Sequence, residues 1–400
     1  MSFISSAINR VQPSVTVGIS QKARAMRNAG RDVIALSAGE PDFDTPQNVK
    51  DAACKAIKRG ETKYTNVGGI IELREAVAKK FKRDNELDVS PDNCFVSTGG
   101  KQIIFNAMLA TLNKDDEVII PSPYWVSYPE VVRFCEAKPI FVMADISSGF
   151  KITPALLEAA ITPKTKWLML NSPSNPSGAI YSKTELLALA NVLKNHPHVW
   201  ILSDDIYEQL VYDGEDFFTI AQVAPELASR TLTMNGLSKS HAMTGWRIGY
   251  CTAPKILIKQ MAKLQSQSTS ATCSIAQWAA VEALNGSQDF LIDWRKIFVQ
   301  RRDMLVEAMN DIDGIDCLTP GGAFYVFPSI KNLLGKTTKG GQKLVTDEDF
   351  VMALLEENEV ALVHGSAFGL KDHVRISYAA SDDNLKRAAG RIEQFCVDLS

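Results

Sequence analysis

K-W-L-M-L-N-S-P-S-N-P-S-G (166–178), followed by K-T-E-L-L-A-L-A-N-V-L-K (183–194) and V-W-I-L-S-D-D (199–205), decides the fold. The apolar run 166–170 reads as a strand that ends in a turn-rich loop. Leucines and alanines at helical spacing predict a helix over about 183–194. The apolar run 199–203 reads as a second strand, ending in Asp204. Strand, crossover helix and strand imply parallel pairing with a right-handed connection. Further strands are expected at 94–97, 117–121, 231–234 and 248–252. The expected fold class is therefore α/β, with a mostly parallel central sheet.

Working outward, residues 1–30 read as an arm and a helix, with Arg10, Gln12, Pro13 and Ser14 between them. A short strand is expected at 32–37. A-G-E-P-D-F-D-T-P (38–46) is a loop in which Thr45 is placed to cap a helix with Pro46 at its first position. T-K-Y-T-N-V-G-G (62–69) is another loop, and helices are expected at 70–82 and 102–112. Helices dominate 255–310. Beyond them lie G-G-A-F-Y-V-F (321–327), a polar surface insert (336–343), a helix near 347–357, strands at 359–363 and 374–378, and a final amphipathic helix. This predicts an N-terminal arm with part of a small domain (1–45), a large domain (46–295) and a small α+β domain (296–400).

Composition narrows the function. The chain has 400 residues, 46% of them hydrophobic, enough for a sizeable core. Net charge is -3 and the basic residues are dispersed, which argues against a nucleic-acid surface. The seven cysteines are scattered and odd in number, fitting a reducing compartment. Residues 1–10 lack a signal-peptide pattern, and no apolar run reaches the roughly 20 residues of a membrane span. The expected location is cytoplasmic.

Each candidate site residue has a bland and a chemical reading. Lys239, in S-K-S-H-A-M-T-G-W-R-I-G-Y (238–250), is either a surface charge or an amine held over a pocket, able to condense with a carbonyl. S-T-G-G-K-Q (97–102) is an ordinary tight turn or a phosphate cradle at a helix N-terminus. Asp204 lies at a parallel strand end, where such sheets place ligands. Asp204 and Asp205 together raise the question of a metal, but no His or Cys is spaced to complete a site, so none is expected. An acid there can instead hold a proton on a heterocyclic nitrogen. N-S-P-S-N-P (171–176) is a plain loop, or an unusual turn with one or both prolyl bonds cis that presents Asn175. Trp125 is core or an aromatic plate. Arg375, within V-R-I-S-Y, needs a partner if buried: a structural acid or a substrate carboxylate. Taken together, these parts suit pyridoxal phosphate acting on amino acids.

Nearly end to end, these motifs resemble the class I aminotransferases of fold type I, above all the bacterial aspartate aminotransferase branch of thermophilic and α-proteobacterial type. The resemblance implies pyridoxal 5'-phosphate bound to Lys239, Asp204 on the ring nitrogen, and Asn175 and Tyr207 on the ring oxygen. It implies Trp125 stacked on the ring and Gly100, Lys101, Ser238 and Arg247 on the phosphate. Tyr64 would reach the phosphate of a neighbouring subunit, which implies a homodimer. Arg375, Asn175, Trp125 and Gly39 would hold the substrate α-carboxylate. The Lys101 side chain would hold the distal one, and Gln12 lies in the segment that folds over the substrate. The implied substrates are amino and 2-oxo acids, aspartate and 2-oxoglutarate first, with prephenate as a second. Rival expectations are an aromatic aminotransferase or β-lyase on the same fold, and a non-catalytic regulator. This chain departs from the animal-type branch, whose partner-chain arginine for the distal carboxylate no motif here locates, and at one position from its close relatives. Gly99 and Gly236 stand where the animal-type branch has hydroxyl residues, and Gln12 stands where close relatives carry lysine.

Overall fold

The computed structural model describes residues 3–400; Met1 and Ser2 of the expected arm lie outside the described residues. In chain order the strands are β1 (Ile34–Ala35), β2 (Cys94–Thr98), β3 (Glu117–Ser122), β4 (Lys138–Met143), β5 (Thr165–Asn171) and β6 (Trp200–Asp204). They continue as β7 (Thr231–Gly236), β8 (Ile248–Thr252), β9 (Tyr325–Val326), β10 (Val360–Ala361), β11 (Val363–His364) and β12 (Val374–Ser377). The central sheet has seven strands in the order β2-β8-β7-β6-β5-β3-β4. All its pairings are parallel except those of β8, which is antiparallel to both neighbours.

The expected crossover is present. The helix Lys183–Lys194 opens on a capping box, in which Ser182 accepts from the Glu185 N–H and the Glu185 side chain reaches back. On β5, Trp167 and Met169 pack into one apolar cluster while Leu168 and Leu170 pack into another. This is the two-period of a strand covered on both faces. The helices Gly100–Thr111 and Lys255–Ser266 cover the first cluster, and Lys183–Lys194 the second.

A separate cluster joins the two ends of the chain. Ile19, Ala23 and Met26 of the helix Val15–Asn28 pack with residues from 298 onward, including Phe298, Phe350 and Phe395. β1 pairs in parallel with β10 in this unit, and β12 lies between β11 and β9. The polar insert is exposed at Lys339–Gly341, yet it is pinned by the Thr338 hydroxyl donating to Glu357 at 2.7 Å. Thr45 is not a cap. Pro46 precedes the helix Gln47–Arg59, and the Thr45 hydroxyl instead donates to the Ala242 carbonyl and accepts from the Trp246 indole. It ties the 38–46 loop to the turn after Lys239.

Behind the sheet, Lys80 of the helix Ile71–Asn85 is buried against Glu208. The Lys80 amine also donates to Asn85 Oδ1 at 2.6 Å, and Asn85 Nδ2 donates to Glu208 at 2.9 Å. Removing Glu208 leaves the buried amine only the more distant Asp84, 3.9 Å away, whereas replacing both members of the close pair leaves no buried charge there. Glu208→Ala should therefore lose about 3–5 kcal/mol in urea unfolding. The double variant Lys80→Met/Glu208→Leu should recover most of that loss, and a double variant no more stable than the single one would contradict this account.

Candidate active site

A cavity of about 760 Å3 opens where the carboxyl ends of β5, β6 and β7 meet the small unit. Lys239 follows β7 on a one-turn helix, Leu237–Ser240, and lines this cavity. Its amine donates to the Gly39 carbonyl. Desolvation, then the positive charges of Arg375 and Arg247, push its pKa down to about 8, against the pull of Glu40 and Asp204.

Asp204 ends β6 and is buried. The Tyr128 hydroxyl donates to its Oδ2 at 2.6 Å, and the Ile206 N–H to its Oδ1 at 3.3 Å. Burial nonetheless pushes its pKa up to about 6, the Tyr128 bond opposing the rise. Tyr207, one turn on, is also buried, its hydroxyl 2.8 Å from that of Tyr325. Trp125 is half-buried on the wall, with the Lys101 amine 4.9 Å from its ring centre. Partial desolvation and then the Arg247 charge lower the Lys101 pKa.

Arg375 on β12 is 2% exposed. It donates to Asn175 Oδ1 at 2.9 Å and to the Ser37 carbonyl at 2.6 Å, and lies 4.6 and 4.9 Å from the ring centres of Tyr325 and Phe368. Among the described residues no carboxylate pairs with it, and its Nε has no partner. The structural-acid reading is thereby excluded. Asn175 sits in the loop after β5, where Ser172–Pro173 is the cis bond and Asn171 Oδ1 accepts from the Asn175 N–H at 2.8 Å.

The turn before the helix Gly100–Thr111 is shaped by close approach. Gly99 has φ 82°, and a Cβ there would meet the Arg247 guanidinium. A Cβ on Gly249 would meet the Gly100 N–H. Arg247 itself holds φ 58° and donates to the Thr244 carbonyl at 2.9 Å. Ser238 is buried on the cavity wall. A helix N-terminus and a guanidinium thus meet on the wall of a cavity that the Ser238 hydroxyl also lines, and these are the kinds of donor a phosphate needs. With a reactive amine, a buried acid and an indole beside them, the residues present fit pyridoxal phosphate. Among the described residues no cluster of three acid, His or Cys side chains suits a metal.

Lys239, Asp204, Tyr207, Gly100, Lys101, Trp125, Asn175, Ser238, Arg247, Gly39 and Arg375 all line this one cavity. Two residues stand outside its lining. Tyr64 is 98% exposed, and Gln12 is exposed with its N–H donating to Glu130 at 2.6 Å. The sequence reading missed Tyr128 and Tyr325, although Tyr325 lies in the quoted stretch 321–327 and Tyr128 three residues after Trp125. No spacing signal separates a phenol that touches the site from one in the core.

Residues 31–392 match the family model of aminotransferase class I and II. The chain is 56% identical over 400 residues, the full length of both, to the aspartate/prephenate aminotransferase of Cereibacter sphaeroides. It is 54% identical over 395 residues, 99% of this chain and 96% of the relative, to the aspartate aminotransferase of Rhizobium meliloti. A crystal structure of the Rhizobium meliloti aspartate aminotransferase superposes with a TM-score of 0.97 at 54% identity, covering all of both chains. That of the Thermus thermophilus aspartate aminotransferase with maleate gives 0.93 at 43% identity, over 99% of this chain and all of the other.

The lowered pKa predicts reactivity. A lysine amine is nucleophilic only when neutral, so trapping of a small aldehyde by borohydride in cofactor-free protein should rise with a midpoint near pH 8 at the peptide carrying Lys239. A midpoint near that of ordinary lysines, about 10.4, would refute the desolvation argument. With α/β architecture, cavity chemistry and full-length likeness in agreement, this chain belongs to the class I and II aminotransferases.

Proposed function

We propose that the protein is an aspartate aminotransferase dependent on pyridoxal 5'-phosphate. It moves the amino group of L-aspartate to 2-oxoglutarate in a ping-pong cycle, giving oxaloacetate and L-glutamate, and accepts prephenate as a second oxo acid, giving arogenate. The observation that carries the reading is a buried arginine, without an acid partner among the described residues, in the same cavity as a lysine of lowered pKa. The likeness to relatives bearing aspartate and prephenate names over full length supports the substrate assignment.

The cofactor, when bound, supplies an electron sink that lets a proton leave the amino acid's α-carbon. Lys239 would hold it covalently, and its amine would carry that proton. Asp204 would keep a proton on the ring nitrogen. Tyr207 and Asn175 would hydrogen-bond the ring oxygen, and Trp125 would lie against the ring. Gly100, the Lys101 N–H, Ser238 and Arg247 would hold the phosphate. Arg375 binds the substrate α-carboxylate as a fork, with Asn175, Trp125 and the Gly39 backbone beside it. The Lys101 side chain, at the exposed rim, meets the distal carboxylate, and Gln12 belongs to the segment that covers the substrate.

The same reading makes the enzyme a cytoplasmic homodimer. Full exposure of the Tyr64 ring supports its reaching a second subunit's phosphate. Among the described residues no helix is long and apolar enough to cross a membrane. The division into arm (1–45), large (46–295) and small (296–400) domains belongs to the reading too. It is supported by the cluster that joins the first helix to the C-terminal residues.

Lys239→Ala should abolish nearly all turnover and leave no borohydride-stable adduct on the peptide that spans it. Wild-type turnover of aspartate by that variant would end the proposal. Lys101→Ala removes one charge-assisted contact, so the KM for dicarboxylates should rise about tenfold while aromatic substrates change little. Equal losses for both classes would remove Lys101 from the distal-carboxylate role.

A further inference from the structure

Tyr325 touches three parts of the site at once, although it lies far from them in sequence. Its hydroxyl is 2.8 Å from the Tyr207 hydroxyl. Its ring centre is 4.6 Å from the Arg375 guanidinium carbon. The same hydroxyl packs so closely on Gly39 that a Cβ there would come within 2.6 Å of it. Gly39 in turn offers its carbonyl to Lys239. The ring is fully buried, in the residue stretch that forms β9.

We propose that Tyr325 is a positioning residue that aligns the phenol of Tyr207 and the guanidinium of Arg375 as one unit, joining the cofactor half of the site to the carboxylate half. This rests on the roles given above to Tyr207 and Arg375. A phenol has one proton to donate and lone pairs to accept with. When Tyr207 directs its proton at the cofactor's ring oxygen, the bond between the two phenols requires Tyr325 to be the donor. The Tyr325 proton therefore fixes the rotor of Tyr207 and aims it into the cavity. The Tyr325 hydroxyl is held in turn by the close approach of Gly39. A side chain at position 39 would push that hydroxyl away, so the glycine in A-G-E-P-D is needed for this contact. The aromatic face acts separately from the hydroxyl. It places negative quadrupole density beside a guanidinium that has no acid partner and helps to keep Arg375 in the cavity.

Two substitutions separate the two actions in the cofactor-loaded enzyme. Tyr325→Phe keeps the ring and removes the proton. A weakened donor to the ring oxygen disfavours its anionic form. The pH at which the bound cofactor's absorbance titrates should rise by about half a unit to one unit, the size of one lost hydrogen bond. The dissociation constant for maleate, used as the dicarboxylate probe, should change less than about twofold. Tyr325→Leu removes the ring as well and should weaken maleate binding about fivefold or more. Circular dichroism melting confirms that each variant is folded, and Tyr325→Met replaces the leucine variant if that one is not. An unshifted titration in Tyr325→Phe, or undiminished maleate binding in the folded variant without the ring, overturns the proposal. A wild-type protein with no titrating absorbance would instead overturn the functional reading on which it rests.

Discussion

The site depends on the register of three parallel strand ends. Asn171 lies opposite Asp204, and Asp204 opposite Met234. The ladder continues one residue further, with the Asp205 N–H donating to Met234 at 3.0 Å and the Ser172 N–H to Asp204 at 3.3 Å. The Asn171 side chain adds a bond to the same Asp204 carbonyl at 2.8 Å. A slip of one residue would turn Asp204 to the other face of the sheet, because strand side chains alternate. The reversal of β8 completes the arrangement. Its first residues, not its last, reach this edge, with Ile248 opposite Thr98 and Gly249 opposite Gly236. Arg247, immediately before β8, therefore arrives beside the Gly99–Gly100 turn. A parallel strand in that place would have brought its carboxyl end instead.

Burial within this frame sets the chemistry. Desolvation disfavours the charged forms of Lys239, Arg375 and Asp204, so the first two pKa values fall and the Asp204 value rises. Arg375 is held by a carbonyl, an amide oxygen and two rings rather than by an acid. An acid would neutralise it and compete with an incoming carboxylate. Neutral acceptors leave its charge uncancelled, and that charge also acts on Lys239, helping to keep the amine neutral. The same guanidinium therefore prepares the site for an anion and its lysine for reaction.

Much of this was legible in the sequence, because strong local signals agree with the fold. The helix Lys183–Lys194 and the strand Ile248–Thr252 fall where periodicity put them, since capping residues and apolar runs bound both. Eleven of the residues singled out line one cavity, because motif position at a strand end is a geometric statement in an α/β sheet. What failed to show was tertiary. Thr45 has the residue type of a cap, but a long-range carbonyl and indole claim its hydroxyl. Tyr128 and Tyr325 are ordinary apolar positions until the fold brings them to Asp204 and Arg375. The antiparallel direction of β8 shows only in its pairing with β2 and β7.

Gly99 and Gly236, set against hydroxyl residues in the resemblance drawn from the sequence, sit in different surroundings. Gly236 is extended, with φ -177°, so no backbone constraint demands glycine there. A Cβ would come within 2.9 Å of Ile206 Cδ1, the movable end of a side chain, and 3.0 Å of the Ile248 carbonyl, so a side chain there would ask for small shifts of both. Gly99 carries both constraints, a left-handed φ and the Arg247 guanidinium in the space a side chain would fill. A hydroxyl at position 99 would have to displace that guanidinium. Glycine at position 99 lets the Arg247 guanidinium lie against the turn that opens the helix Gly100–Thr111. The left-handed φ of Arg247 is the local distortion that closes this approach.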